Sequence, residues 1–426
     1  MSTPLEGIRI LEFSQIVAAP FAGALLSDMG ADIIKVESTL GDPVRAYQPI
    51  VPDESRIYMA LNRGKRSLPL DLSKDEAREI IYKLVPDMDV VIINYRPDVP
   101  QKLGIDYETL AELNPQLIYC QNTAFGLEGP HHYRPGSDIV TQSMTGLMTA
   151  EGKVENGIPQ LIQATALADH ATGISIAWGV SAALYVREKT GKGQKIEASL
   201  MATSLAIQTQ RLIQVDVVDK ENREEFFSDL ETLQQEGRSY EEMLKLHQGL
   251  RPRPPGNIYY RTFQTKDGNV TIGCLSDPPK QRMAQLLGIH DPRFDEGYDP
   301  IEAANDPNAA AEGEKLIEEA ESRFREKTTK EWLHLLDDAG IPAGPLHFTE
   351  EMTKDEQAIA NGYIVDLDHS LVGGMKMYGP PLKMSETPLE VQRPAPALGE
   401  HTDEVLSSIG YTSEQIKDLR ESGVTR

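Results

Sequence analysis

The chain has 426 residues, enough for about two or three domains with their own hydrophobic cores, which excludes a small binding module or peptide. Its 42 lysines and arginines against 66 aspartates and glutamates give a formal net charge of −24, which argues against nucleic-acid binding, because such proteins carry a basic surface. A hydrophobic fraction of 40% and a charged fraction of 25% are typical of a globular protein and exclude a fibrous or disordered chain.

Residues 1–125 alternate between short apolar strands and helical segments, and a capping-box pattern at 73–76 marks the start of one helix. The predicted elements are strand 8–13, helix 20–29, strand 32–36, strand 67–70, helix 73–85, strand 90–93, helix 107–113 and strand 117–120. Strands that alternate with helices predict an α/β fold with a parallel, doubly wound sheet. Such a sheet is a common nucleotide-binding architecture.

Three further regions follow the first sheet elements. The chain first continues as helices 138–148 and 169–187 and strand 194–197. Residues 206–255 are densely charged and then proline-rich, which predicts a charged linker that includes a solvated helix. Residues 256–338 begin with a hairpin pattern and predict a smaller α+β domain. Residues 339–426 are rich in proline and strand-like, and end in a helix over 412–422.

The two cysteines and the distribution of apolar residues indicate the compartment. Cys120 and Cys274 form no Cys-x-x-Cys pair and have no histidine at ligand spacing, so the sequence predicts neither disulfides nor a metal site. No apolar run reaches about 18 residues, and residues 1–7 carry acid instead of base. We therefore expect a cytoplasmic protein that binds neither nucleic acid nor a membrane.

The first β-α turn, residues 14–20, excludes several common enzyme classes. It lacks the G-x-G-x-x-G pattern that brings a backbone close to a pyrophosphate, and the chain contains no P-loop motif. It also contains neither the G-x-S-x-G elbow of serine hydrolases nor H-E-x-x-H, and the adjacent His131 and His132 would make a poor chelate. A conventional dehydrogenase, a P-loop NTPase, a serine hydrolase and a metallohydrolase are thus disfavoured.

Asp169 stands at the start of the markedly apolar helix 169–187. An ionised carboxylate is costly in apolar surroundings unless its charge is satisfied. It could be a first-turn acid that the helix dipole stabilises, or it could be a functional group. The residues alone leave both alternatives open.

Motifs spread along almost the whole chain carry a family resemblance. They occupy residues 5–11, 30–37, 41–43, 62–67, 94–97, 134–138, 168–169, 190–194, 340–345 and 398–402. In this order they resemble the class III CoA-transferases, the group of formyl-CoA and carnitine CoA-transferases that also includes α-methylacyl-CoA racemases. The resemblance implies a Rossmann-like large domain, built from residues 1–205 and the return segment 339–426, and an interlocked homodimer.

The resemblance also implies the site residues. Asp169 matches the family's catalytic aspartate, and the N-terminus of its helix is expected to offer amides to an oxyanion. Asp138 matches an acidic position that assists acyl transfer, or else it caps its own helix. Tyr95 is expected to stack on adenine and Lys102 to meet CoA phosphates. The implied CoA contacts are Gln15, Ile16, Val17, Ala18, Leu70, Asp71, Leu72, Ser73, Asn94, Tyr95, Arg96, Lys102, Arg134 and Ser137. Arg63, Lys65 and Arg66 form a local basic cluster, either a phosphate site or a solvated turn.

The reaction implied is reversible transfer of CoA from an acyl-CoA donor to a carboxylate acceptor, with CoA as a substrate and no metal. A racemase of this family would need a histidine directly before the residue that matches Asp138, and this chain has Ser137 there. A non-catalytic CoA-binding protein is the third alternative. The glycine-rich loop of formyl-CoA transferase has no clear match, since residues 216–256 are charged and proline-rich instead.

Overall fold

The structure is a computed structural model that describes residues 2–250, 256–299 and 308–426. It divides into a larger unit, Met1–Leu244 with Glu356–Arg426, and a smaller unit, Lys245–Asp355. The predicted linker 206–255 contains two helices, and its residues up to 244 belong to the larger unit. The return to the larger unit comes at residue 356, later than the predicted 339.

The strands of the described residues are short. They are β1 (Arg9–Phe13), β2 (Asp32–Glu37), β3 (Pro49–Val51), β4 (Glu54–Ser55), β5 (Lys65–Pro69), β6 (Val90–Ile93), β7 (Ile118–Thr123), β8 (Val154–Glu155), β9 (Ile158–Pro159), β10 (Gln194–Ser199), β11 (Tyr260–Gln264), β12 (Asn269–Gly273), β13 (Ala343–Pro345), β14 (Ile364–His369) and β15 (Gly373–Tyr378).

The helices of the described residues range from one turn to more than six turns. They are α1 (Ala18–Asp28), α2 (Arg56–Asn62), α3 (Asp75–Leu84), α4 (Val99–Leu103), α5 (Tyr107–Leu113), α6 (Asp138–Met144), α7 (Leu147–Glu151), α8 (Leu167–Thr190), α9 (Leu200–Ala206), α10 (Asp216–Gln235), α11 (Tyr240–Gly249), α12 (Asp277–Leu287), α13 (Ala309–Phe324), α14 (Thr329–Asp338), α15 (Glu356–Ala360), α16 (Thr402–Ser408) and α17 (Ser413–Glu421).

A six-stranded sheet forms the centre of the larger unit, and its strand order is β10-β7-β6-β1-β2-β5. All neighbouring pairs are parallel, with Leu11 opposite Ile34 between β1 and β2 and Leu11 opposite Val91 between β1 and β6. This confirms the predicted α/β fold with a parallel sheet. From β1 the chain forms one side of the sheet through β2 and β5. It then crosses to the other side of β1, where it forms β6, β7 and β10. Parallel sheets bind ligands at the carboxyl ends of their strands at such a reversal point.

Hydrophobic clusters cover both faces of this sheet, because successive strand side chains point to opposite faces. Leu11 and Phe13 face a cluster that includes α3 and the C-terminal helices α16 and α17, which contribute Leu406 and Leu419. Ile10 faces the second cluster, which α1 and α8 cover. The C-terminal segment therefore completes the core of the larger unit.

The basic cluster at 63–66 lies inside the larger unit, so it forms neither a phosphate site nor a solvated turn. All three side chains are at least nine-tenths buried. Each forms an ion pair with a carboxylate: Arg63 with Asp28, Lys65 with Glu12, and Arg66 with Asp32. A buried cation needs such a partner, and sequence spacing cannot show one that lies 34 or more positions away.

The smaller unit is an α+β arrangement. Its antiparallel sheet has the order β11-β12-β13 and includes the predicted hairpin. Phe263 and Phe324 stack at 4.4 Å between ring centroids in its core, next to Trp332. Among the helices of residues 2–250, 256–299 and 308–426, none is both long and apolar enough to cross a bilayer.

The predicted capping box at 73–76 is wrong. Helix α3 begins at Asp75, and its N-cap, Lys74, makes no side-chain capping bond. The Ser73 hydroxyl instead donates to the Asp71 carboxylate at 2.6 Å, so Ser73 closes a turn before the helix.

Candidate active site

A cleft of about 490 Å³ opens where β1, β2, β5 and β6 end. Six of the residues predicted to contact CoA line it: Gln15, Leu70, Asp71, Leu72, Tyr95 and Arg96. Sequence reasoning missed four others: Ser38, Thr39, Val99 and Leu103. Ser38 and Thr39 could have been found, because they directly follow a strand of the predicted parallel sheet. A second depression of about 410 Å³ shares Arg96 and also contacts His132 and Tyr133.

Tyr95 forms part of the cleft wall and packs partly against the core of the larger unit. Burial raises the pKa of its hydroxyl to about 12, so the ring is uncharged at neutral pH. More than half of the Arg96 side chain is exposed, and its guanidinium lies 3.4 Å from Asp98. The cleft thus combines an aromatic face with an exposed cation, a combination that suits a nucleotide with phosphates.

The turn between β1 and α1 forms one side of this cleft. Its conformation is held from the end of β6, where Asn94 accepts from Gln15 N at 3.0 Å and donates to Gln15 O at 2.7 Å. Ile16 adopts a φ of 72°, which is strained for a β-branched residue. Its amide donates to Asp42 at 3.2 Å. The residues of this turn are therefore fixed by side chains from two other strand ends.

The other predicted CoA residues lie outside the two cavities. Val17 and Ala18 are buried at the start of α1, Ser73 is exposed, and Asn94 bonds the backbone of the turn. Lys102 is exposed and bonds Asp98 at 2.6 Å, Arg134 lies 3.4 Å from His131, and Ser137 is the N-cap of α6. Their predicted contacts with CoA thus find no support in the cavity geometry.

Asp169 lies in the first turn of α8 and is half-buried. No described residue donates a hydrogen bond to its carboxylate, although the backbone amide of Asp169 is itself bonded. Burial and the nearby negative charge of Asp138 raise the pKa of Asp169 to about 7. Such a carboxylate is more basic than usual and still has its lone pairs available, which are properties of a nucleophile.

Asp138 caps the N-terminus of α8 from the first position of α6. Its Oδ1 accepts from the amides of Ala168 at 2.8 Å and Asp169 at 3.3 Å. The alternative that it caps its own helix is wrong, since the N-cap of α6 is Ser137. Of the α8 amides expected to serve an oxyanion, those of Ala168 and Asp169 are thus already bonded to Asp138.

Gln142 is a site residue that the sequence did not reveal. It is fully buried, its amide donates to Asp138 Oδ2, and its carbonyl oxygen accepts from Ile162 N at 2.9 Å. The i,i+4 spacing from Asp138 on α6 was the available signal. Gln142 therefore fixes the carboxylate that caps α8.

Close packing joins the turn beside the cleft to the first turns of α8. Ala18, at the start of α1, contacts Ala168 and Leu200 in a small apolar cluster. At Gly173, one turn after Asp169, an added Cβ would lie 2.7 Å from Ala18 O. Helix α8 can approach α1 this closely because residue 173 has no side chain. The turn 14–18 therefore connects the cleft on one side with Asp169 on the other.

The site offers no evident metal ligands. Across residues 2–250, 256–299 and 308–426, no three His, Cys, Asp or Glu side chains are grouped as a metal would require. Cys120 and Cys274 are both buried and free.

Comparison with known proteins agrees with this geometry. The profile of CoA-transferase family III matches residues 5–402. Succinyl-CoA:glutarate CoA-transferase of Homo sapiens is 31% identical over 424 residues, which cover 99% of this chain and 90% of that protein. Succinate–glutarate CoA-transferase of Agrobacterium fabrum is 34% identical over 419 residues, 95% of this chain and 96% of that protein. A crystal structure of a CaiB/BaiF family protein from Brucella suis superposes with a TM-score of 0.72 at 30% identity, covering 96% and 100% of the two chains. The chain thus belongs to CoA-transferase family III and is an enzyme of that class.

Proposed function

We propose that the enzyme transfers CoA reversibly between an acyl-CoA and a carboxylic acid through covalent intermediates on Asp169. The observation that carries this proposal is the Asp169 carboxylate, which is half-buried, accepts no hydrogen bond from the described residues and has a raised pKa of about 7. The preceding residue, Ala168, contacts Ala18 of the turn that borders the cleft proposed for CoA. A thioester carbonyl could reach Asp169 from that side.

The proposed steps balance without a metal or a redox partner. The Asp169 carboxylate attacks the thioester carbonyl, the carbon–sulfur bond breaks, and a mixed anhydride and the CoA thiolate form. The thiolate then attacks the aspartyl carbonyl, giving an aspartyl-CoA thioester and releasing the first acid as its carboxylate. The acceptor carboxylate attacks this thioester, its carbon–sulfur bond breaks, and a second anhydride and the CoA thiolate form. The thiolate finally attacks the acceptor's carbonyl, which gives the new acyl-CoA and regenerates Asp169.

We place the nucleotide part of CoA in the cleft at the strand ends. Tyr95 offers a ring face for adenine and Arg96 a cation for phosphate. Of the remaining predicted contacts, Gln15, Leu70, Asp71 and Leu72 line the same cavity. Asn94 would act through the backbone of the turn that it bonds.

We propose a short dicarboxylic acid as acceptor or donor acid. The two relatives compared above are named for succinate and glutarate, which are both dicarboxylates. The racemase alternative is weaker, because the residue before Asp138 is Ser137, which cannot serve as the second base.

A trapping experiment tests the proposed function. The protein is incubated with succinyl-CoA and hydroxylamine, and tryptic peptides are analysed by mass spectrometry for a hydroxamate at Asp169. Asp169→Asn should abolish both the adduct and CoA transfer to glutarate. Asp75→Asn is a matched control, because this exposed carboxylate lies on α3 and does not line the cleft. Full turnover by Asp169→Asn, or exchange of the α-hydrogen of a branched acyl-CoA without transfer of CoA, would contradict the proposal.

We also propose the homodimer that the resemblance implies. Helix α8 exposes Ile174, Trp178 and Tyr185, and α10, which has no buried residue in the described structure, exposes Val217 and Phe227. Apolar residues so exposed are typical of interaction surfaces. Sedimentation should give twice the chain mass even at nanomolar concentration. If dilution instead gives an equilibrium between dimer and monomer, the chains are not interlocked.

A further inference from the structure

Four fully or almost fully buried charges lie beneath the turn between β1 and α1. Glu12 belongs to β1, Lys35 to β2 and Lys65 to β5, and Asp42 follows β2. Three ion pairs connect them: Lys35 Nζ to Asp42 Oδ2 at 3.0 Å, Lys35 Nζ to Glu12 Oε1 at 3.5 Å, and Lys65 Nζ to Glu12 Oε1 at 2.8 Å. The group is neutral as a whole. None of these side chains takes part in the chemistry proposed for Asp169.

These charges also bond the backbone of the turn. Lys35 donates to Ser14 O at 2.9 Å, and Asp42 accepts from Ile16 N at 3.2 Å. Lys65 donates to Pro20 O at 2.8 Å, farther along in α1. A buried ion pair often contributes little net stability, so its retention suggests a role in conformation.

The turn needs such bonds because Ile16 is strained. Its φ of 72° lies in the left-handed region, which β-branched residues rarely adopt. Strain of this kind persists only where surrounding groups impose it. Nearly half of the Ile16 side chain is exposed, so core packing does not impose the conformation. The hydrogen bonds from Lys35, Asp42 and Asn94 therefore impose the conformation of Ile16.

We infer that Lys35 and Asp42 are positioning residues, which hold the strained turn at Ile16 and thereby set the distance between the CoA cleft and Asp169. This inference rests on the proposed function. The physical link is continuous: the turn borders the cleft at Gln15 and contacts the first turn of α8 at Ala18. If the two bonds are lost, Ile16 relaxes to a negative φ and Ala18 moves relative to Asp169. An enzyme loses about 100-fold in rate when reacting groups are misplaced by about 1 Å.

The test uses a neutral double variant, Lys35→Met/Asp42→Leu, which removes both backbone bonds while the pair of Glu12 and Lys65 stays intact. We expect its dissociation constant for free CoA to stay within about threefold, because the cleft is formed mainly by other residues, while formation of the Asp169 adduct slows at least about tenfold. Adding Ile16→Gly should recover at least about threefold of that rate, because glycine adopts the positive φ without the bonds.

The matched control removes another buried ion pair of the larger unit, as Asp28→Leu/Arg63→Met. Asp28 is the last residue of α1 and Arg63 directly follows α2, and their side chains bond each other at 3.0 Å or less. We expect a comparable change in thermal stability with an adduct rate within about twofold of the parent protein. Three results would overturn the inference. They are equal adduct rates in the two double variants, no recovery of the adduct rate by Ile16→Gly, and a loss of CoA affinity in proportion to the loss of adduct rate.

A single-residue comparison applies even if the double variant does not fold. Ile16→Gly should have a higher melting temperature than Ile16→Ala, since only glycine relieves the strain. The reverse order would show that Ile16 is not held under strain and would overturn the inference. Absence of any Asp169 adduct in the parent protein would instead count against the proposed function, and the melting temperatures would still decide the question of strain.

Discussion

The raised pKa of Asp169 leads to a defined pH dependence of its acylation. The carboxylate attacks only when it is ionised, and burial together with the charge of Asp138 raises its pKa to about 7. With that pKa the ionised fraction falls from about 0.9 at pH 8 to about 0.1 at pH 6, whereas an ordinary aspartate stays fully ionised over this range. Adduct formation should therefore slow about tenfold between pH 8 and pH 6.

The measurement is a single-turnover reaction with acyl-CoA, quenched in acid and followed as adduct mass. Asp138→Asn keeps an acceptor for the α8 amides and removes the like charge, so we expect the midpoint of the profile to move to lower pH. His170, the next residue, is the neighbouring imidazole, and its Nδ1 bonds Ala166 O at 2.9 Å. His170→Gln therefore serves as the control.

Two results would refute this reasoning about Asp169. The first is a midpoint below about pH 5, which would mean that the carboxylate titrates as an ordinary aspartate. The second is a midpoint near 7 that His170→Gln shifts and Asp138→Asn does not, which would assign the profile to the imidazole.

Three further outcomes follow from individual contacts. Because the pKa of Asp169 is raised from 3.8 to about 7 on folding, its burial costs stability progressively as pH rises from about 4 to about 7, and the cost is complete above that. Asp169→Asn should therefore stabilise the protein by about 2 kcal/mol at pH 8, after a discount for partial exposure. The gain should vanish in urea unfolding near pH 4, and no difference between the two pH values would contradict this. Gly173→Ala places a Cβ 2.7 Å from Ala18 O, so both melting temperature and adduct rate should fall, and an unchanged adduct rate would show that the approach of α8 to α1 is not needed. Asp28→Asn leaves the buried Arg63 without its carboxylate and should cost about 3–5 kcal/mol in denaturant unfolding, whereas a loss below about 1 kcal/mol would mean that water reaches the guanidinium.

Much of the fold could be predicted because its elements have clear local periodicity. Strand β6, predicted at 90–93, and helix α5, predicted at 107–113, have the same limits in the structure. Element ends and helix caps were less predictable. Residues 138–148, predicted as one helix, hold α6 and only the start of α7, because Gly146 adopts a φ of 83° between the two helices.

The candidate site was predictable only in part. The family motifs indicated Asp169 and the strand ends near Gln15 and Tyr95. In the structure Gln15 and Tyr95 line one cleft, while Asp169 lines neither cavity and is linked to that cleft only through the contact of Ala168 with Ala18. Gln142 was not found, because nothing local distinguishes a glutamine that bonds an active-site carboxylate from one that faces solvent. The CoA contacts predicted for Lys102 and Arg134 stay predictions, since both side chains lie outside the two cavities.

The sequence by itself determined the alternation of strands and helices, the parallel sheet and the family, because periodicity and ordered motifs are properties of neighbouring residues. Only the tertiary structure decided which polar groups meet. Asp138 bonds an amide 30 residues away, and Lys65 pairs with a carboxylate 53 residues away. The basic cluster that the sequence left open between a phosphate site and a solvated turn is therefore buried instead. The physical reason is that a charge removed from water must find a partner in space, and the partner's position along the chain carries no local signal.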